Sequence, residues 1–220
     1  MIFVGRRLIG AIGRTNGDAD RSRLGLIRQF VVGDFEAHSL GTLVQRTLNC
    51  YASRPVEIAP EHPEDGPAIE HLLDLAFGPD RAGKTVYKLR EGIPPVAELG
   101  FVIHDPAKPE IDGSLRFWPI VIGEERVPAL LLGPIAVAPE DRGKGYAKAL
   151  IWHGLGVARA LGHRIVLLVG DAPYYEQFGF ARALATNLTL PGWVDEARFL
   201  GLELVPGALS GVRGMVGRAA

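Results

Sequence analysis

Three observations predict a mixed α/β fold whose sheet is mostly antiparallel and split between two central strands. Apolar runs and helically spaced segments follow one another in the order β, α, α, β, β, β, α, β, α, β, β, which calls for helices packed on a sheet. The stretch from Pro128 to Val137 is almost wholly apolar, as suits a strand buried on both faces, yet Gly133 and Pro134 interrupt it. Proline has no N–H for a ladder, so this strand is expected to bulge and part from a neighbour, freeing main-chain groups for a ligand. The third observation is a short turn with two glycines, Arg142 to Ala147, that leads from this strand into a helix.

The globular pattern begins with Val56, Glu57 and Ile58, an alternating strand ended by Pro60. Ile69, Leu72, Leu73, Ala76 and Phe77 recur at helical spacing, and Pro63 and Pro67 suit a first turn whose N–H groups lack intrahelical partners. Lys84 to Arg90 predicts a second, short helix stopped by Gly92, Pro94 and Pro95. Alternation from Ala97 to His104 predicts a strand with Ala97, Leu99, Phe101 and Ile103 on one face, followed by a strand from Ser114 to Ile122. After the turn at Gly123 to Arg126 comes the interrupted strand. Leu150, Ile151, Leu155, Ala158 and Leu161 mark the buried face of the next helix, and Ile165 to Gly170 the next strand. Leu184 to Leu190 and Phe199 to Val205 predict two closing strands, with the glycine-rich tail from Gly207 peripheral.

Residues 1–54 stand apart. Eight arginines, no lysine and four acidic residues leave this segment at +4 in a chain of net charge −1, and it is read as a weakly ordered extension. Phe30 to Val32 and Leu40 to Leu48 are a strand and a helix candidate within it. Its apolar pieces are short and broken by Arg6 and Arg7, which fits a signal peptide poorly; a transit peptide would be richer in serine. The remaining chain divides into a domain over 55–205 and a tail over 206–220.

The helix opened by the Arg142–Ala147 turn has first-turn N–H groups without partners. Two glycines let that backbone approach a ligand closely, and the helix dipole with Arg142 and Lys144 favours an anion such as a pyrophosphate. The alternative is a glycine-rich helix start with no ligand. Arg142, Gly145 and Ala147 match the pyrophosphate loop of the GCN5-related N-acetyltransferase (GNAT) family, and Tyr175 followed by Gly179 and Phe180 matches a second motif of that family. The wider pattern, LLLGPIAV and VGDAPYYEQFGF included, resembles the YhbS-like branch of predicted acetyltransferases over about residues 55 to 205.

The resemblance implies a GNAT-like sheet, acetyl-CoA as co-substrate, and transfer of an acetyl group to a primary amine by direct attack in a ternary complex. It implies that Ile135 and Val137 offer main-chain groups to the pantetheine arm, and that Arg142, Gly143, Lys144, Gly145, Tyr146 and Ala147 hold the pyrophosphate. It implies that Tyr175 is the general acid for the departing thiolate, the alternative being an aromatic packed at a turn. Tyr174 is read as packing. Glu98, opposite Leu99 and Phe101 on its predicted strand, is a candidate base. Arg116 and Trp118 share a strand face and are candidates to line an acceptor pocket, the alternative being a guanidinium packed over an indole.

Composition narrows the remaining choices. A pI near 6.6 argues against nucleic acid as a partner. The single cysteine, Cys50, allows no intrachain disulfide and no thiolate cluster, which points to a reducing cytoplasm. No apolar run reaches the roughly 18 to 20 residues that cross a bilayer, so no membrane is expected. The six histidines lack metal-ligand spacing, so no metal is expected. A small-molecule or peptide amine is the expected partner, with a second copy of the chain a further candidate. Two rival readings remain. One is a non-catalytic CoA-binding or regulatory module of the same fold. The other is an NTPase, because Gly78, Gly83, Lys84 and Thr85 fit the P-loop spacing GxxxxGK[ST]; it is disfavoured because the segment follows a helix-period run and meets Gly92 and Pro94 soon after.

Overall fold

In a computed structural model, which describes residues 57–83, 85–105, 108 and 110–219, eight strands form one twisted sheet with helices on both faces. The readings made for residues 1–54, for Val56 and for Lys84 lie outside the described residues. The main path of the sheet runs β1 (Glu57–Pro60), β2 (Phe101–His104), β3 (Ile111–Ile122), β4 (Val127–Val137), β5 (Ile165–Val169) and β7 (Phe199–Glu203). Every pair on that path is antiparallel except β4 with β5.

The interruption in β4 does what its chemistry predicts. Leu115 of β3 pairs with Ile135 and Phe117 pairs with Leu132, so Gly133 and Pro134 together stand opposite Arg116 alone. This bulge changes the alternation: Leu132 and Ile135, three apart, both face the side where α3 (Tyr146–Ala160) packs, while Ala136 faces α1 (Gly66–Phe77). On its other edge β4 pairs with β5 only at Leu130 with Val166 and Leu131 with Leu167. Beyond those residues β5 continues beside β7 as far as Val169, and β4 continues beside β3. The sheet is therefore split between β4 and β5, and the split opens toward the C-terminal ends of both strands.

Each helix lies where its apolar stripe directs it. Ile69, Leu72 and Leu73 of α1 are buried against Val102, Ile111 and Ala136 on one face, and burial of each such side chain contributes about 1.5–3 kcal/mol. Phe77, expected on the same stripe, is 40% exposed because the helix ends beside it at Gly78. On the other face Leu150, Ile151, Leu155 and Ala158 of α3 meet Phe101, Leu115, Phe117 and Leu132. Gly154 brings that helix close: a Cβ there would lie 2.7 Å from Phe117. Leu161 is half exposed, since it lies one residue past the helix.

Several expected elements differ. Ala97–Leu99 is a 3-10 helix, not strand, and β2 starts at Phe101. Leu99 N–H bonds the Val96 carbonyl locally, and Val96 N–H is taken by Phe117. Leu184 to Leu190 is mostly not strand either: Arg182–Ala185 is a 3-10 helix, and only Leu188–Thr189 (β6) pairs. The C-terminal tail is not peripheral. Gly214–Arg218 (β8) runs antiparallel to Ile120–Ile122 of β3, on the edge that β2 leaves, and parallel to β6. Val216 there is fully buried. Among the described residues no helix is long and apolar enough to cross a membrane.

Candidate active site

The turn after β4 is shaped by a buried acid. Pro139–Asp141 forms a 3-10 helix, and Asp141, 1% exposed, takes hydrogen bonds on its carboxylate from Lys144 and from Lys108, the latter at 3.2 Å. Lys108 also reaches buried Asp112 at 3.0 Å. The bond from Lys144 outweighs burial and, with Lys108, holds the Asp141 carboxyl below the usual carboxylate range. Lys144 is raised in turn by Asp141. Lys144 thus braces the turn from below, while Arg142 is exposed and has no acidic partner among the described residues.

Gly143 and Gly145 have φ of 82° and 87°, in the left-handed region that a side chain rarely adopts. At both positions a Cβ would meet nothing within 4 Å. Glycine is required here by backbone conformation, and the space before it is open. The first helical bond runs from Ala149 N–H to the Gly145 carbonyl at 2.9 Å, so the N–H groups of Tyr146, Ala147 and Lys148 have no helical acceptor. No side chain caps this end. Open space, helix-start N–H groups without helical acceptors, the helix dipole and Arg142 together favour an anion at this turn.

The far bank of the split is built by β5 and the turn beyond its C-terminal end. α4 (Ala172–Tyr175) is a single turn that carries the Tyr175 ring back over Gly170, where a Cβ would lie 2.2 Å from Tyr175 Cε2. Only glycine at 170 lets the ring lie there. Tyr175 packs edge-on to Phe180 at 5.9 Å and to Tyr174 at 5.1 Å, and joins the cluster that includes Ile135 and Tyr146. Its hydroxyl makes no hydrogen bond among the described residues, and burial, helped by Tyr174, pushes it up to about 12. Tyr174 is 37% exposed and packs on Phe178 as well.

Ile135 and Val137 lie on β4 past the last pair with β5, half-buried, with the β5-facing edge of their strand unpaired. The structure thus brings Ile135, Val137, the 142–147 turn and Tyr175 around one split. Glu98 is not among them. It sits exposed on a 3-10 helix, and its electrostatic neighbour is His163, beyond the C-terminal end of α3, about 22 Å of helix away from the turn. Arg116 does not pack on Trp118; it bonds Glu61 at 2.7 and 2.8 Å and Glu70 at 3.0 Å. The guanidinium over Trp118 is that of Arg90, 5.8 Å from the ring centre.

Asp141, Gly170 and Arg90 were missed by sequence reasoning. Asp141 had a local signal, an acid beside a basic glycine turn, whereas the other two are defined by partners reached only on folding. The P-loop spacing fails structurally: Gly78 follows α1, Pro79–Gly83 is a 3-10 helix, and α2 (Thr85–Lys88) is four residues long. A surface hollow lined by Gly123, Glu124, Arg213 and Met215 lies at the β3–β4 hairpin and contains none of the site residues.

A split α/β sheet with an anion seat on one side of the opening and a phenol on the other is suited to a long ligand, phosphorylated at one end and reactive at the other. The sequence profile of the acetyltransferase (GNAT) domain matches residues 57–183. Over 156 residues the chain is 33% identical to a protein described as the uncharacterized N-acetyltransferase YhbS of Escherichia coli K12, covering 71% of this chain and 92% of that one. The chain therefore belongs to the GNAT acetyltransferase family. The crystal structure of Escherichia coli YhbS in complex with CoA superposes with a TM-score of 0.63 at 32% identity, over 74% of this chain and 89% of that one. A GNAT family acetyltransferase from Brucella melitensis in complex with acetyl-CoA gives 0.56 at 27%, over 75% and 96%.

Proposed function

We propose that this enzyme transfers an acetyl group from acetyl-CoA to a primary amine by direct attack within a ternary complex. The observation that carries the reading is the split itself, with an open glycine turn of free N–H groups at the head of α3 and the Tyr175 hydroxyl across the opening. The relatives described as complexes with CoA and acetyl-CoA support that co-substrate. On this reading the N–H groups of Gly143 and of Gly145 to Lys148, with Arg142, hold the pyrophosphate, while Lys144 fixes the turn through Asp141, to which both its N–H and its ammonium bond. The unpaired edge of β4 at Ile135 and Val137 pairs with the amides of the pantetheine arm, as an added strand would.

The amine nitrogen attacks the thioester carbon, the C–S bond breaks, and the sulfur leaves with the electron pair. The nitrogen sheds one proton and the sulfur gains one, so no residue is consumed. At pKa about 12 Tyr175 stays protonated across any working pH, but full transfer to a thiol of ordinary pKa, about 8.5, is uphill. Tyr175 therefore serves as a donor to the charge growing on sulfur, and the proton passes as the nitrogen loses its own. On this reading Glu98 is given no role, since it is exposed and its electrostatic neighbour is His163, past the C-terminal end of α3.

The direct test incubates the full chain with acetyl-CoA and a panel of amines, following released thiol and the acetylated product by mass. Thiol release matched mole for mole by acetyl-amine supports the reading. Tight acetyl-CoA binding with no transfer to any amine would instead make the chain a CoA-binding module.

A further inference from the structure

Among the described residues seven buried side-chain polar atoms lack a hydrogen-bond partner, and five of them gather in one place: Arg90 Nε and Nη1, Arg81 Nε, Tyr87 Oη and Trp118 Nε1. Random scatter would not concentrate them so, and buried polar groups are normally paired. Arg90 is the centre of this group. It is 8% exposed, yet no carboxylate bonds it, whereas Arg81 and Arg116 each hold Glu70, Arg81 also holds Asp74, and Arg116 also holds Glu61. In place of an acid Arg90 has two aromatic faces, Tyr87 at 4.7 Å and Trp118 at 5.8 Å from its Cζ. Burial draws its pKa down to about 10, with Tyr87 opposing and Arg116 adding to the effect, so it remains a cation at neutral pH.

Its position gives the charge a use. Arg90 Nη2 lies 3.4 Å from where a Cβ of Gly133 would stand, so the guanidinium touches the bulge that starts the split. Leu115, Phe117 and Tyr175 belong to the α3 side of the sheet; Arg116 and Trp118 alternate to the other side, where α1 and α2 lie. Acetyl-CoA, held by the head of α3, approaches the split from the first side. That leaves the second side, on which Arg90 lies against Gly133, for the acceptor to reach the thioester.

We propose that Arg90, with Trp118 Nε1 and Tyr87 Oη, forms the acceptor subsite and binds a carboxylate, so that the acceptor is a small primary amine bearing a carboxyl group. This rests on the acetyltransferase reading and narrows its substrate class. Guanidinium and indole supply only donors, which find no acceptor on an apolar or cationic tail, and the guanidinium charge makes a carboxylate a stronger partner than a neutral oxygen. The carboxylates of Glu61, Glu70 and Asp74, each already paired with Arg81 or Arg116, balance the charge around Arg90, which disfavours a dianion such as a phosphate ester and suits a single carboxylate.

The test uses matched acceptors with the full-length protein: lysine with cadaverine, phenylalanine with phenethylamine, and each amino acid with the aminoalkylphosphonate of the same skeleton. Expected is a kcat/KM at least tenfold higher for the carboxylated member of each pair, expressed in KM, and a higher value for carboxylate than for phosphonate. In Arg90→Met and Arg90→Lys that preference falls to within about threefold, while the Kd for acetyl-CoA stays at the wild-type value. Equal use of carboxylated and decarboxylated amines by the wild type overturns the inference and leaves the acetyltransferase reading intact. So does a loss in Arg90→Met confined to kcat and equal for both members, which would place the guanidinium on the thioester oxygen. Release of no thiol with any amine overturns both.

Discussion

Tyr175 shows how much a single side chain depends on what folds around it. Its hydroxyl has no hydrogen-bond partner among the described residues, and its ring fills the space that Gly170 leaves, so ring and hydroxyl have separable duties. Tyr175→Phe keeps the ring. It is expected to leave Tm and the acetyl-CoA Kd unchanged while kcat falls by about 10²-fold, the scale for losing one donor to a developing charge. A kcat within about threefold of wild type would make Tyr175 a packing residue. The pKa carries a second expectation. A tyrosine raised in the folded state, to about 12 from its ordinary value near 10, adds stability that is fully present below pH 10 and is lost as pH rises toward 12. Thermal melts between pH 9 and 11.5 should therefore fall more steeply for the wild type than for Tyr175→Phe. Parallel curves would mean that the phenol is no harder to ionise in the folded chain.

At the scale of elements, the 142–147 turn and the helix behind it behave as one unit. Gly145 holds a φ of 87° with open space before it, so Gly145→Val imposes strain of about 1–3 kcal/mol and fills the seat. A Tm lower by a few degrees with an acetyl-CoA Kd raised tenfold or more is expected, read by calorimetry; an unchanged Kd in the folded variant would remove the turn from the binding site. Asp141→Asn tests the brace from beneath. Without its charge Lys108 and Lys144 lose their shared partner, and both affinity and Tm should fall, the deficit in Tm shrinking as the pH drops below the usual carboxylate range and vanishing only once it passes the depressed value at which the wild-type acid is itself neutralised. Range along the chain decides how much of this was legible in the sequence. Helical spacing in α1 and α3, the apolar runs of β3 to β5 and the glycine turn are written within about fifteen consecutive residues, and the 133–134 interruption announces a bulge by proline's own chemistry. Ala97–Leu99 misled because alternation over four residues is also met by a 3-10 turn whose N–H bonds are spent locally. Arg90 was invisible because its meaning comes from Trp118 and Gly133, which folding alone brings to it.

For the whole molecule, the sheet distributes the work: its split is where we place the chemistry, and one of its strands, β8, comes from the C-terminal segment. The edge of β3 is shared, with β2 covering Ile111 to Leu115 and β8 covering Ile120 to Ile122. Ile120 and Ile122 are buried, and with them Ala208, Leu209 and Val216 of the C-terminal segment complete the core on that side. A glycine-rich tail hides this role in sequence, since Val216 is its one fully buried apolar residue and glycine carries no pattern. A chain ending at Val205 would leave the second half of β3 with an open apolar edge, losing about 1.5–3 kcal/mol from Val216 alone and inviting edge pairing between copies. The opposite end predicts the reverse. The family profile starts at residue 57, as does β1, so a chain beginning at Arg54 is expected to melt within a few degrees of the full chain and bind acetyl-CoA with the same Kd. Light scattering, melting curves and calorimetry on the two truncations decide both. If the chain beginning at Arg54 aggregates while the full chain does not, residues 1–54 cover core surface; if the chain ending at Val205 stays monomeric with an unchanged Tm, β8 is an accessory to the sheet and not part of what holds it.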